Sequence, residues 1–237
     1  YPENRINKIL EEIRKGKAAH DKGDIVIWFS MDGAFWFPRT LFGIQNHFLS
    51  FYDEPVLYHQ IINDLADFEI RQMEKIYEIC TPEFMTIAED MSYNNGPMLS
   101  GDCFDEFLAP YYRRVVPFIR AHGTKVFVDT DGDVTKMIPW LKGVGIEGIL
   151  PLERMAGVDV VSIREKHPDL LLMGAFDKTV MKNGEVSMRA EFERLLPVMK
   201  QGGFIPGVDH QTPPDVSIEN FRTFVSLLFE YAEKAVH

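Results

Sequence analysis

The sequence predicts an α/β protein built on a parallel sheet, and two observations carry this prediction. Short runs rich in β-branched and aromatic residues alternate along the chain with longer segments of helical periodicity. The short runs are mostly continuous in apolar residues, as is typical of parallel strands that are buried on both faces. Because parallel strands need crossover helices between them, an alternating order of strands and helices favours a parallel sheet.

Six strands and the helices around them are expected. The strands fall at residues 24–30, 84–89, 125–130, 146–152, 170–176 and 204–208. Helices are expected at residues 4–19, 54–79, 103–121, 134–142, 158–166, 187–199 and 218–232. The last helix is the clearest, because apolar residues recur at helical spacing after a Pro-Pro-Asp-Val-Ser start signal. No Gly- or Pro-rich linker interrupts the series, so residues 1–237 are expected to form a single domain.

Charge and cysteine content exclude several classes of protein. The chain of 237 residues carries a formal net charge of −11 at pH 7. Such an acidic chain is not expected to bind DNA, RNA or an anionic membrane, because that affinity comes largely from basic residues. The two cysteines, Cys80 and Cys103, form no Cys-x-x-Cys pair, which excludes a structural zinc–thiolate site and fits a reducing, cytoplasmic location. No apolar run reaches the roughly 18 residues of a membrane span.

Acidic residues and one histidine come directly after the predicted strands. They are Asp90, Asp129, Asp131, Asp133, Glu153, Asp177, Asp209 and His210. The strands of a parallel α/β barrel all end on one face, where the following loops build the active site. We therefore expect these side chains to meet at one mouth. Each aspartate taken alone could instead be a turn residue or a helix N-cap, whereas glutamate and histidine are not favoured caps.

The segment Asp129-Thr-Asp131-Gly-Asp133 has three interpretations. A calcium loop is excluded, because the glutamate needed at the twelfth position is Trp140. The segment also looks like the first motif of aspartate-nucleophile phosphatases, but that motif starts its domain and 128 residues precede it here. In the third interpretation, Asp129 and Asp131 lie two apart on a strand and face the same side, so that they could share a metal or a proton.

Two other features are candidates for the site. His210 lies on a short loop rich in turn residues, after the last predicted strand. Phe35 and Trp36 follow the first predicted strand within three consecutive aromatic residues. They could line an apolar pocket for a flat ligand, or they could pack beneath the neighbouring long helix.

The chain carries a series of motifs along its length. They are GAFWFP at 33–38, FYDEP at 51–55, AED at 88–90, GPMLS at 96–100, FLAPYY at 107–112, the stretch from 122 through LPLE at 150–153, GAFD at 174–177, and GGFIP…DH…PDV at 202–216. Taken in this order, the motifs resemble those of the uroporphyrinogen decarboxylase superfamily, which also holds corrinoid-linked and thiol-directed methyltransferases. The resemblance covers nearly the whole chain and implies a (β/α)8 barrel.

The chain departs from the pattern of the superfamily in two respects. Only six strands of eight are counted, and the family's first two strands, its arginine-rich loop and its acidic proton-handling residue have no counterpart. The domain is thus expected to be N-terminally incomplete. The residues that match functional positions also differ. Asp90 stands where the decarboxylase has a hydroxyl residue, although His210 matches its late histidine. Asp129-x-Asp131 stands where the thiol-directed enzymes have His-x-Cys, and their late cysteine falls near Asp209 and His210. The soft ligands of that branch are therefore absent.

The resemblance implies an enzyme similar to the corrinoid-linked methyltransferases, with a divalent metal, zinc before others, acting as a Lewis acid. The expected catalytic residues are Asp129, Asp131, Glu153 and His210, of which the last three are the expected metal ligands. The expected substrate-binding residues are Phe35, Trp36, Asp90, Asp177 and Asp209. The expected partners are a small-molecule substrate, a corrinoid protein and a second copy of the chain. Two alternatives stay open: a carboxy-lyase of tetrapyrrole metabolism without a metal, and a non-catalytic relative that binds a tetrapyrrole or a corrinoid protein.

Overall fold

The six predicted strands are present and form one sheet. The computed structural model describes residues 3–237, with side chains from residue 6. The strands of this sheet are β1 (Trp28–Asp32), β2 (Phe84–Ala88), β5 (Lys125–Asp129), β6 (Gly148–Leu150), β7 (Leu171–Phe176) and β8 (Phe204–Val208). They lie in the order β1-β2-β5-β6-β7-β8. The pairs β1–β2, β6–β7 and β7–β8 are parallel, as the alternation of strands and helices predicts.

The ends of the sheet are its least buried strands. The middle residues of β2 and β5 are buried, whereas β1 and β8 carry no fully buried residue. These two strands stand at the ends of the sheet order, and no pairing joins them within residues 3–237. The first strand also begins four residues later than predicted, at Trp28, and the apolar residues Ile25 and Val26 that precede it are exposed. The two-residue strands β3 (Ser92–Tyr93) and β4 (Gly96–Pro97) form an antiparallel hairpin that was too short to predict.

The helices follow the predicted order with changes at their ends. They are α1 (Glu3–His20), α2 (Trp36–Phe42), α3 (Ile44–Asp53), α4 (Pro55–Tyr77), α5 (Gly101–Cys103), α6 (Ala109–Ala121), α7 (Ile138–Gly143), α8 (Val160–Lys166), α9 (Glu185–Met199) and α10 (Ile218–Val236). The helix predicted at 103–121 is interrupted by a π-helical turn at Phe104–Leu108, and single 3₁₀ segments occupy Arg154–Ala156 and Lys178–Asn183. Helices α2 and α3 were not predicted, since Gly43, with a φ of +72°, divides them into short pieces.

The chain groups into two compact units. The first takes residues up to Glu89, Leu99–Val128 and Pro139–Ile146, and the second takes Asp90–Met98, Asp129–Ile138 and Glu147–His237. Aromatic residues such as Tyr58, Tyr111 and Tyr112 fill the core of the first unit. In the second, the ring of Phe192 lies 4.7 Å from that of Phe176 and 5.0 Å from that of Tyr231, measured between centroids. Within residues 3–237, no helix combines the length and the apolar character needed to cross a membrane.

Gly174 allows β7 to approach the segment that follows β6. Its φ is +101°, and a Cβ there would lie 2.0 Å from the carbonyl oxygen of Pro151. The next residue, Ala175, donates its N–H to that same oxygen at 2.9 Å. A residue with a side chain would be strained at this φ and would also push the two segments apart.

Gly174→Ala should therefore lower the free energy of unfolding by more than about 2 kcal/mol, measured by urea denaturation. Gly143→Ala is the matched control, because a Cβ there would meet no atom within 4 Å. That change should alter stability by less than about 1 kcal/mol. Equal stabilities of the two variants would contradict the close approach.

Candidate active site

The loop after β5 carries the first two residues of the site. Asp129 is the last residue of β5, and Asp131 follows two positions later. The loop is tied to the β3–β4 hairpin. The Ser92 hydroxyl donates to the carbonyl oxygen of Asp131, and the Asp133 N–H donates to the carbonyl oxygen of Tyr93 at 2.9 Å. These bonds fix the backbone that presents both carboxylates.

Gly132 lets this loop pass close to the hairpin. Its φ is +80°, and a Cβ there would lie 2.5 Å from the Tyr93 Cα. The Gly132 N–H donates to Glu153 Oε2 at 3.1 Å and so connects the loop after β5 with the segment after β6. A glycine is therefore needed between Asp131 and Asp133, because only glycine adopts this turn without strain.

Asp131 and His210 are in contact, although 79 residues separate them in the sequence. His210 Nε2 lies 3.1 Å from Asp131 Oδ2, and both side chains are part-exposed, at 35% and 40%. Burial raises the pKa of Asp131, with Asp90 and Glu153 adding to this effect, while His210 lowers it. The imidazole therefore hydrogen-bonds this carboxylate and offsets part of the increase in its pKa.

Asp129 has a strongly raised pKa. Burial, first, and then the charges of Asp131 and Asp90 raise its pKa to about 6, against an opposing effect of His210. Like charges in a partly desolvated place favour the protonated form of one of them. A carboxyl group with a pKa of about 6 can give up a proton near neutral pH, which suits a general acid.

Lys178 joins the remaining carboxylates, and the sequence analysis missed it. Its ammonium nitrogen lies 3.1 Å from Glu153 Oε1 and 3.8 Å from Asp209 Oδ1. Lys178 is 8% exposed, so this ion pair is largely removed from water. The sequence held a signal for this role, because Lys178 directly follows Asp177 at the end of a predicted strand. A lysine buried at that place needs anionic partners, and the acidic residues at the ends of the neighbouring strands could supply them.

Asp209 and Asp177 make bonds that position the backbone. Asp209 is fully buried, and its carboxylate accepts the N–H of Arg154 at 2.8 Å and that of Lys178 at 3.2 Å. Asp177 caps the following 3₁₀ segment by accepting the Thr179 N–H at 2.8 Å. The helix-cap alternative therefore describes Asp177. Asp209 lies among the site residues, but both of its oxygens accept backbone bonds.

Backbone strain is concentrated around this cluster. Asp90, Leu152 and Ala175 have positive φ angles of 45°, 62° and 65°, although none is a glycine. The Asp90 N–H donates to the carbonyl oxygen of Asp129 at 3.4 Å, which places Asp90 beside the loop after β5. Such conformations persist where the surrounding structure imposes them, and they are common at functional sites.

The predicted metal ligands are not assembled in this structure. Within residues 3–237, no three side chains of histidine, cysteine, aspartate or glutamate are arranged to hold a metal ion. His210 contacts Asp131, but Glu153 is turned to the Lys178 ammonium group and the Gly132 N–H. Because Glu153 is bonded to Lys178, it does not converge with Asp131 and His210 on one point. A divalent metal at these residues stays a prediction, and no chemical step below is routed through one.

Phe35 and Trp36, the two aromatic candidates, lie in different environments. Phe35 is fully buried, and its ring lies edge-on to that of His47, with 4.6 Å between centroids. The packing alternative therefore describes Phe35. Trp36 is half-buried at the start of α2, and the guanidinium of Arg39 lies 5.0 Å from its ring centroid. A contact of Trp36 with substrate stays a prediction.

Glu89 organises the same loop and was also missed. Its buried carboxylate accepts the backbone N–H groups of Ala34, Phe35 and Trp36 at 3.0, 2.7 and 3.1 Å, and the Tyr112 hydroxyl donates to it as well. Burial raises the pKa of Glu89 to about 7, although these hydrogen bonds lower it. A glutamate that closes an apolar strand was the signal for such a buried acceptor.

The fold and the site define a class of protein. It is an α/β protein whose parallel strands end in titratable side chains, the arrangement of (β/α)8 barrels. Residues 4–231 match the family model described as uroporphyrinogen decarboxylase (URO-D). The match takes in nearly all of the chain, so the protein belongs to the uroporphyrinogen decarboxylase family, whose fold is a TIM barrel, as the motif order implied. No curated protein matches the chain.

The electrostatic coupling within the cluster can be measured directly. Asp131→Asn removes a negative neighbour, so the pKa of Asp129 should fall below about 6, its value in the unchanged protein. Carboxyl ¹³C chemical shifts followed through a pH titration give this value. The control is Asp133→Asn, which alters a residue bonded to the Thr135 N–H and should leave the titration of Asp129 in place. An unchanged pKa in Asp131→Asn would show that the two carboxylates are not coupled.

Proposed function

We propose that this member of the uroporphyrinogen decarboxylase family is a corrinoid-linked methyltransferase. It would take a methyl group from a small methoxylated compound and pass it to a partner corrinoid protein. The observation that carries the proposal is the cluster of Asp90, Asp129 and Asp131 with His210, in which one carboxyl group has a pKa of about 6. A homo-oligomeric assembly and a cytoplasmic location stay predictions.

The charge of the cluster favours a neutral substrate over a polycarboxylate. Asp90, Asp129 and Asp131 act on one another as like charges. The Lys178 ammonium group is already bonded to Glu153 and lies 3.8 Å from Asp209. A substrate with several carboxylates would need cationic partners at this place, whereas a neutral ether would meet no repulsion.

A proton donor assists ether demethylation by neutralising the leaving oxygen. The bond between the methyl carbon and the ether oxygen would break, its electron pair would remain on oxygen, and Asp129 would donate its proton to that oxygen. A reduced corrinoid on the partner protein would supply the electron pair for the new bond to the methyl carbon. The charge of Asp131 raises the pKa of Asp129 and so favours its protonated form. His210 positions Asp131 through the contact of its Nε2 with Asp131 Oδ2 at 3.1 Å. General acid assistance of this kind contributes roughly 10²–10⁴-fold to a rate.

The test uses free cob(I)alamin as the methyl acceptor and 2-methoxyphenol as the donor. The purified protein should consume cob(I)alamin and release catechol, and Asp129→Asn should lower kcat by about 100-fold or more. The matched control is Asp133→Asn, which should keep kcat close to that of the unchanged protein.

A parallel assay with uroporphyrinogen, in which CO2 release is measured, distinguishes the methyltransferase from the carboxy-lyase. CO2 release without methyl transfer would assign the protein to the carboxy-lyases and overturn the proposal. Binding of a tetrapyrrole without turnover in either reaction would indicate the non-catalytic relative. Full methyl transfer by Asp129→Asn would remove the proposed acid from the mechanism.

A further inference from the structure

A cavity of about 450 Å³ lies within the first unit, along β1 and between α1 and α4. Three residues of α1, four consecutive residues of β1 and four residues of α4 line it. This volume falls in the range of small-molecule sites, which are commonly 300–1,000 Å³. None of its lining residues belongs to the cluster around Asp129, so the proposed methyl transfer does not use it.

The walls of the cavity are apolar, with carboxyl groups as the charged members. Leu10, Phe29, Phe68 and Ile76 are among the apolar residues, and Glu69 and Asp32 supply the acids. No lysine, arginine or histidine is among the described residues that line the cavity. An apolar cavity with one kind of charge in its wall selects a ligand that combines hydrocarbon with the opposite charge.

Glu69 is the unusual residue of this wall. It is 2% exposed, lies in the middle of α4, and receives a hydrogen bond from the Tyr111 hydroxyl. Burial raises its pKa well above the usual value, and the charges of Glu89 and Asp32 add to this effect, while Tyr111 opposes it. Burial and the two neighbouring acids disfavour the charged form of this carboxyl group, and a cation in contact with it would favour that form.

We propose that this cavity binds an apolar ammonium ion, with its nitrogen at the Glu69 carboxylate and its hydrocarbon part against the aliphatic and aromatic walls. The rings of Phe29 and Phe68 suit such a ligand, because aromatic faces attract ammonium groups as well as hydrocarbon. An extended peptide is the competing occupant, since β1 is an edge strand of the sheet. The buried acid favours the ammonium ion, because pairing with the edge of a strand requires no charge.

Calorimetric titration with 4-phenylbutylammonium and with the neutral 4-phenylbutanol tests the proposal. The ammonium ion should bind the unchanged protein at least about tenfold more tightly than the alcohol, because the charged hydrogen bond to Glu69 is lost with the alcohol. Glu69→Gln keeps the shape of the side chain and should weaken binding of the ammonium ion about tenfold or more. Glu74→Gln changes an exposed acid of the same helix and should leave binding unchanged.

Equal affinities for the two ligands, or unchanged ammonium binding in Glu69→Gln, would overturn the proposal. Absence of binding by the unchanged protein would do the same, as would binding of extended peptides alone. The comparison of the two ligands on the unchanged protein decides the question even if Glu69→Gln does not fold.

Discussion

Carboxylates that the backbone holds close together are the constraint on which the candidate site depends. Hydrogen bonds to the β3–β4 hairpin and to Glu153 hold the backbone of the loop after β5, so Asp129 and Asp131 are presented near one another. Repulsion that cannot be relieved by movement must be relieved by protons or cations. The raised pKa values of Asp129 and Asp131 are the first of these two responses, and the strained backbone at Asp90 shows that the surrounding structure imposes the arrangement.

Lys178 supplies the cation that relieves part of this repulsion. Its contacts separate the acidic residues into two groups, those that lie beside its ammonium nitrogen and those that do not. Glu153 and Asp209 contact its ammonium nitrogen and also accept backbone N–H groups, so they serve to position the loops. Asp129 and Asp131 have raised pKa values, and the nearby His210 opposes the increase at both carboxyl groups. This division explains why the residues predicted as metal ligands belong to different bonding groups. It also explains why the chemistry proposed here rests on proton transfer.

The strands were predictable because buried parallel strands are continuous apolar runs. Strand β5 (Lys125–Asp129) was predicted at residues 125–130, and its three middle residues are buried. The acidic strand ends were predictable for the same reason, since a charged residue that closes such a run stands out. The roles of the individual acids were not predictable, because they depend on partners far away in the sequence, such as Lys178 for Glu153. The position of Glu89 at the end of an apolar strand could be read from the sequence, but its role could not, because three of its partners are backbone N–H groups, which leave no sequence pattern.

The pH dependence of kcat/KM for methyl transfer from 2-methoxyphenol to cob(I)alamin tests the central claim most directly, because it reports the pKa of the essential acid in the free enzyme. If Asp129 must be protonated to act, kcat/KM is constant at low pH and falls tenfold per pH unit as the pH rises through about 6. A value that rises with pH through this range, or that stays flat from pH 5 to about 8, would contradict the account.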